Sequence, residues 1–171
     1  PLKDCGNYTD YFTAGLDSAG KVKWARQLTC SKGKSKCSKD GAIAVTSMAQ
    51  DRTGGLVLVG HYAGSPALAG QKLKISNAHH DLFIARLDGA GKLTWATLAS
   101  GPRHLYATDV ALDSKGNVLV TGYFEGSATF GSTTLTSNGR TDAFLARLDS
   151  KGRFRRVVAT KGSPYVVVQA H

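Results

Sequence analysis

Acidic residues are scarce in this chain. Glu125 is the only glutamate, and twelve acidic residues stand against 22 Lys and Arg, for a formal net charge of +10. A paired-carboxylate hydrolase would therefore have to be built from aspartates, and most of these recur in turns. Proline is also rare, at 4 residues, and methionine occurs once. No apolar run approaches the ~20 residues a membrane helix needs; the longest, "GLVLVG", is strand-sized. No segment keeps a 3.6-residue apolar period with caps at both ends, which argues against a helical bundle. A glycine-rich phosphate cradle leading into a helix is missing, as are a G-x-S-x-G elbow and a loop of alternating acidic calcium ligands. The expectation is a chain without catalytic residues, cofactor or metal, hence not an enzyme.

Glycine, by contrast, is abundant at 20 residues, and 42% of the chain is hydrophobic. At 171 residues it can bury a core of its own. Self-similarity organises it. "YTDYFTAGLDSAGKVKWARQL" (8–28), "HHDLFIARLDGAGKLTWATLA" (79–99) and "RTDAFLARLDSKGRFRRVVAT" (140–160) align, matching Asp10 with Asp81 and Asp142, and Phe12 with Phe83 and Phe144. A second block, "AVTSMAQDRTGGLVLVGHYAGS" (44–65), matches "YATDVALDSKGNVLVTGYFEGS" (106–127) without a gap. Asp81 and Asp142 stand 61 apart, Gly60 and Gly122 62 apart. Asp10 to Asp81 is 71, and the excess falls around "CSKGKSKCSKDG", an enlarged loop.

Within each copy, "DLFIARLD" and "DAFLARLD" alternate as strands do, with Phe, Ala and Leu on one face. The Asp-x-x-Gly that follows suits a type I turn whose last residue has positive φ. Four strands in about 61 residues, evenly spaced, indicate an all-β chain of β-propeller blades, each of four antiparallel strands. The predicted blade is "DLFIARLD", "KLTWATLA", "ATDVALD" and "VLVTGYF", with Phe83, Ala85 and Leu87 between neighbouring blades and small Ala107 and Ala111 allowing close packing. The repeat units are 10–80, 81–141 and a shorter 142–171. A ring takes about 4–8 blades, so the expectation is an incomplete ring: a piece of a longer protein, or one completed by association.

The pattern "D-x-F-x-A-R-L-D-x-x-G-x-x-x-W" followed by "A-x-D-x-x-G-N-V-L-V-T-G-Y-F-x-G-x-A-T-F-G" resembles the bacterial β-propeller repeat family SBBP, best between Asp81 and Asp142. The resemblance implies an extracytoplasmic protein, surface-attached or secreted, acting as a scaffold or binding module. It implies little about activity. Two positions depart from the pattern: Arg156 stands where Trp24 and Trp95 stand, and Gly15 where Arg86 and Arg147 stand. Part of a propeller enzyme whose catalytic residues lie in other blades stays open as an alternative.

Few residues suggest binding chemistry. His79 and His80 precede Asp81, but the same slots hold Tyr8-Thr9 and Arg140-Thr141, so only the aspartate recurs. That aspartate reads as an acceptor for backbone N–H groups, and the histidines as surface polar sequence. A metal would need further ligands from His61, His104 or His171. Cys30 and Cys37 bracket "SKGKSK" in the enlarged loop, close enough for a disulfide that an oxidising compartment would preserve, leaving Cys5 odd. Lys32, Lys34, Lys36 and Lys39 on that loop are the candidate anion-binding group, for an anionic polysaccharide. The other basic residues are scattered, which favours an ordinary solvated surface, and no nucleic acid is expected as a partner.

Overall fold

Alternating apolar residues and glycine-ended turns produce strands throughout the described residues. The structure, a computed structural model, describes residues 11–28, 41–74 and 76–160. In chain order the strands are β1 (Phe12–Leu16), β2 (Val22–Gln27), β3 (Gly41–Gln50), β4 (Leu56–Gly64), β5 (Ala67–Leu68), β6 (Gln71–Lys72) and β7 (Ser76–Leu87). There follow β8 (Leu93–Ala99), β9 (Leu105–Leu112), β10 (Val118–Phe124), β11 (Ser127–Phe130), β12 (Thr133–Thr136), β13 (Asp142–Leu148) and β14 (Phe154–Thr160). Two four-stranded antiparallel sheets result, ordered β3-β4-β7-β8 and β9-β10-β13-β14, each a blade. Strands β1 and β2 form a separate pair before the first blade. Short ribbons β5-β6 and β11-β12, which the repeat pattern does not announce, fill the two middle connections. The described strands close no barrel.

The grouping of strands corrects the sequence expectation. "DLFIARLD" and "KLTWATLA" are the last two strands of the first blade, while "ATDVALD" and "VLVTGYF" are the first two of the second. The repeat 81–141 therefore straddles two sheets. Periodicity gives the spacing of a cyclic pattern but no phase, and local sequence specifies hairpins without saying which hairpins share a sheet. Long-range pairing decides: β4 runs beside β7 from Leu56↔Leu87 to Tyr62↔Asp81. After β8, the short stretch 100–104 carries the chain to the next sheet, tied by hydrogen bonds in both directions between Ser100 and Thr129.

Five of the hairpin turns are built around a carboxylate. Asp17, Asp51, Asp88, Asp113 and Asp149 each accept two backbone N–H bonds on Oδ1, from the residues two and four further on, at 2.8–3.0 Å. The recurring strand-head aspartates do related work: Asp81 accepts from Gly101 N–H at 3.2 Å and Asp142 from Asn138 N–H at 2.9 Å. Both are buried.

The core has two layers because both faces of the first blade are covered. On one face Phe83, Ala85 and Leu87 pack with Leu58 and Tyr62 against Trp24 of β2 and Tyr11 and Leu28, which flank the β1-β2 pair. On the other, Val57, Val59, Leu82 and Ile84 pack against Leu105, Ala107, Val120, Phe144 and Ala146 of the second blade. Ala107 lies in this core as its small size suggested; Ala111, paired with Leu119, is half-buried on the second blade's far face. At Gly122 a Cβ would stand 1.9 Å from the Tyr106 carbonyl, and Gly60 is under the same constraint at the Ala44 carbonyl. Only glycine fits where the first strand of each blade bulges across its second.

Successive sheets are also latched. The Trp95 ring lies over Gly152, where a Cβ would come within 2.7 Å of it, and the indole N–H donates to the Ser150 carbonyl at 3.2 Å. Trp24 covers Gly91 in the same manner one repeat earlier.

Phe144 is fully buried, with Phe130 4.8 Å away. Phe144→Ala should destabilise the protein by about 3–5 kcal/mol in urea unfolding, and an unchanged midpoint would mean that this face is not core.

Acid should also loosen the turns. Burial alone would raise the Asp51 carboxyl, but hydrogen bonds from the Thr53 hydroxyl, the Gly55 and Thr53 amides and Arg86 outweigh it and hold the group at about 2. A depressed carboxyl contributes stability that is complete above the unfolded value of 3.8 and disappears as pH falls through about 2. Asp51→Asn should therefore flatten the fall of Tm with pH in this window. Equal slopes for variant and parent would contradict the assignment.

Candidate functional site

The loop residues singled out by sequence, Cys30, Cys37, Lys32, Lys34, Lys36 and Lys39, lie outside the described residues, as does Cys5. An anionic polysaccharide partner thus has charge alone behind it. Residues that drew less attention form a cluster of polar rings: His61, His79, His80, His104, Tyr106 and Tyr123 meet at the junction of the two blades.

The ladder explains why His80 reaches this junction. Tyr62 pairs with Asp81 but Gly64 pairs with Ser76, so two steps along β4 oppose five along β7. The intervening backbone leaves the ladder and forms an isolated parallel bridge from His80 to His104, just ahead of β9. His79 stays exposed, its ring 5.0 Å from that of His104. His80 does not: it is half-buried, and its Nδ1 lies 3.1 Å from His104 Nδ1 and 2.9 Å from the Tyr106 hydroxyl. The same hydroxyl is 3.1 Å from His104 Nδ1. Three polar atoms therefore form a triangle. Without an ion, two of its edges can be hydrogen bonds, a His104 Nδ1–H donating to the hydroxyl oxygen and the hydroxyl donating to the single lone pair of His80 Nδ1. The His80 and His104 rings are stacked with centroids 5.3 Å apart, and those of His104 and Tyr106 at 5.5 Å.

His61, on β4, closes the cluster from below. Its ring stands edge-on to His80 at 5.0 Å and to Tyr106 at 4.5 Å. Among the described residues its buried Nδ1 has no hydrogen-bond partner. Burial, followed by the nearby His80 and His104, lowers the His61 imidazole from 6.5 to about 4. His80 is lowered for the same reasons, burial first and then His104 and His79. Burial, with Tyr123 and Glu125 behind it, raises the Tyr106 hydroxyl. Burial thus disfavours charge on the His61 and His80 imidazoles and on the Tyr106 hydroxyl.

Reading His79 and His80 as surface polar sequence therefore holds for the exposure of His79 and fails for His80. His104 and Tyr106 drew no role from sequence because 24 and 26 positions separate them from His80. One signal was present. Tyr106 replaces Ala44, and His80 replaces Thr9 and Thr141, in otherwise faithful copies.

A second polar group joins the blades. Arg86 pairs with Asp51 of its own blade and donates to the Gly116 carbonyl of the next at 3.4 Å. Thr46 donates to the Ala107 carbonyl and Ser47 to Asp109, both at 2.9 Å. These contacts read as joinery between sheets.

Comparison with known families adds one finding: residues 94–123 match the model of the SBBP family, a beta-propeller repeat. The matched segment begins in β8, crosses the link and ends in β10, so it spans the blade junction itself. No curated protein matches the chain.

The lowered His61 value carries a sign. Between 6.5 and about 4 the unfolded chain binds a proton that the folded one refuses, so stability should drop as pH falls through that range. The His61 ring resonances in a proton NMR titration should have their midpoint near 4; a midpoint near 6.5 would show a solvated ring.

Proposed function

We propose that this chain is a non-catalytic β-propeller segment serving as a scaffold or binding module in an extracytoplasmic bacterial protein, surface-attached or secreted. Its partners are further blades of the same protein or other copies of the chain. The beta-propeller repeat match and the two four-stranded blades support the architecture. The compartment rests on the repeat resemblance in the sequence.

One observation carries the docking part. The faces of the two blades correspond position by position, yet they differ in cover. Val57 and Ile84 are fully buried beneath the second blade, whereas their counterparts Leu119 and Leu145 are half-buried. The Arg86 side chain is 20% exposed and reaches the next blade's turn, while the Arg147 side chain is 49% exposed and, among the described residues, pairs with Asp113 of its own blade, 3.6 Å away. Val158 and Arg156 continue the same face on β14, where the latching tryptophan has become arginine. Thr121 and Ala143 on the same face are buried, so the accessible part is the strip of Leu119, Leu145, Arg147, Arg156 and Val158; a face patterned to receive a sheet and left partly uncovered supports an association surface.

Light scattering across a concentration series tests this. The parent chain should associate at tens of micromolar, and Leu145→Glu should shift it toward monomer with the far-UV spectrum unchanged. A parent chain that remains monomeric throughout would overturn the reading.

A further inference from the structure

The geometry points to a transition-metal site at the blade junction, formed by His80 Nδ1, His104 Nδ1 and the Tyr106 hydroxyl oxygen, taking a divalent ion of the copper or zinc class. It stands whether or not further blades dock on the protein.

Three observations converge. The donors form a nearly equilateral triangle with edges of 3.1, 2.9 and 3.1 Å. An ion at about 2.0–2.1 Å from each corner, the ordinary distance for imidazole nitrogen and oxygen ligands, would stand ~1 Å off the triangle's plane. Hydrogen bonding alone supplies two protons for three close contacts and leaves His80 Nδ1 and His104 Nδ1 3.1 Å apart with none to share; a cation engages all three atoms at once. Among the described residues no three His, Cys, Asp or Glu side chains form a metal-binding group, and here the third donor is a phenol. Two imidazoles and one phenolic oxygen suit copper(II), zinc or nickel better than calcium or magnesium, which prefer all-oxygen shells.

Next, the site is not required by the fold. The preceding repeat places Ala42 and Ala44 where His104 and Tyr106 stand, and Thr9 where His80 stands. In a repeat protein, residues that serve the blade recur, so a cluster of donors confined to one junction answers to something other than blade packing.

The surroundings also favour an ion. The buried Nδ1 of His61 has no partner among the described residues, beside rings that hold two of the three donors. His80, His104 and Tyr106 are each partly accessible, leaving a path in and room for water to complete the coordination. Because His80 belongs to β7, and His104 and Tyr106 come from the link and β9, a bound ion would tie one blade to the next.

The test uses the full chain, stripped with EDTA and titrated with copper(II) chloride and separately with zinc chloride. Calorimetry should show one saturable site. The copper(II) EPR spectrum should carry couplings from two imidazole nitrogens, and a phenolate-to-copper absorption band should appear. His80→Asn and His104→Asn should each weaken binding at least about 10-fold. Tyr106→Phe should abolish the absorption band while keeping the nitrogen couplings, and His79→Asn should bind as the parent does. Absence of saturable binding, or undiminished affinity in His80→Asn and His104→Asn, would overturn the proposal. Should those variants fail to fold, the parent EPR spectrum decides alone, and a signal without two imidazole nitrogens ends the idea.

Discussion

Everything in this protein depends on the burial of one sheet face by another. An isolated four-stranded sheet with two apolar faces has nowhere to put them; here the first blade is stable because its neighbours cover both. Val57, Val59, Leu82 and Ile84 are sealed by the second blade, while Phe83, Ala85 and Leu87 are sealed by residues in and beside the β1-β2 pair. The polar contacts between sheets are arranged around that burial. Thr46, Ser47 and Arg86 bond across to the next blade near β9 and the β9-β10 turn, and Trp95 and Thr97 do so at the β13-β14 turn. These bonds set the register of one sheet on the next, and the apolar contact supplies most of the driving force.

The strands, their turns and their spacing were legible in the sequence because each depends on residues a few positions apart. A carboxylate that accepts the N–H groups two and four residues on is a local device, and five aspartates repeat it. The partition into sheets was not legible. A periodic pattern looks the same from any starting point, and the pairing of β4 with β7 joins residues up to 31 positions apart. The ribbon β11-β12 was missed for a related reason: its short Thr-rich strands alternate too briefly to stand out from turn sequence.

The histidine–tyrosine cluster escaped notice because it exists only across the junction. Reading along the chain, His80 is one of a variable polar pair and Tyr106 one aromatic in a strand. Only the extra residues of β7 opposite β4 turn His80 away from its own ladder and toward the next blade. The better guide was comparison between copies. Where one repeat substitutes polar rings for the alanines of another at no evident benefit to packing, the substitution marks a place where repeats have ceased to be equivalent.

The Trp-over-glycine latch has a consequence for how such a chain can change in length. Trp95 and its receiving turn at Gly152 are 57 residues apart, and Trp24 and Gly91 are 67 apart, with the difference absorbed by the enlarged loop. The first two units therefore each carry a tongue for the unit after, and the second and third each a socket for the unit before. Gene duplication or loss of one whole period, cut at any point, leaves tongues and sockets matched, so blade number can drift without new surfaces having to evolve. Loss of part of a period would strand a socket, and selection would act against it.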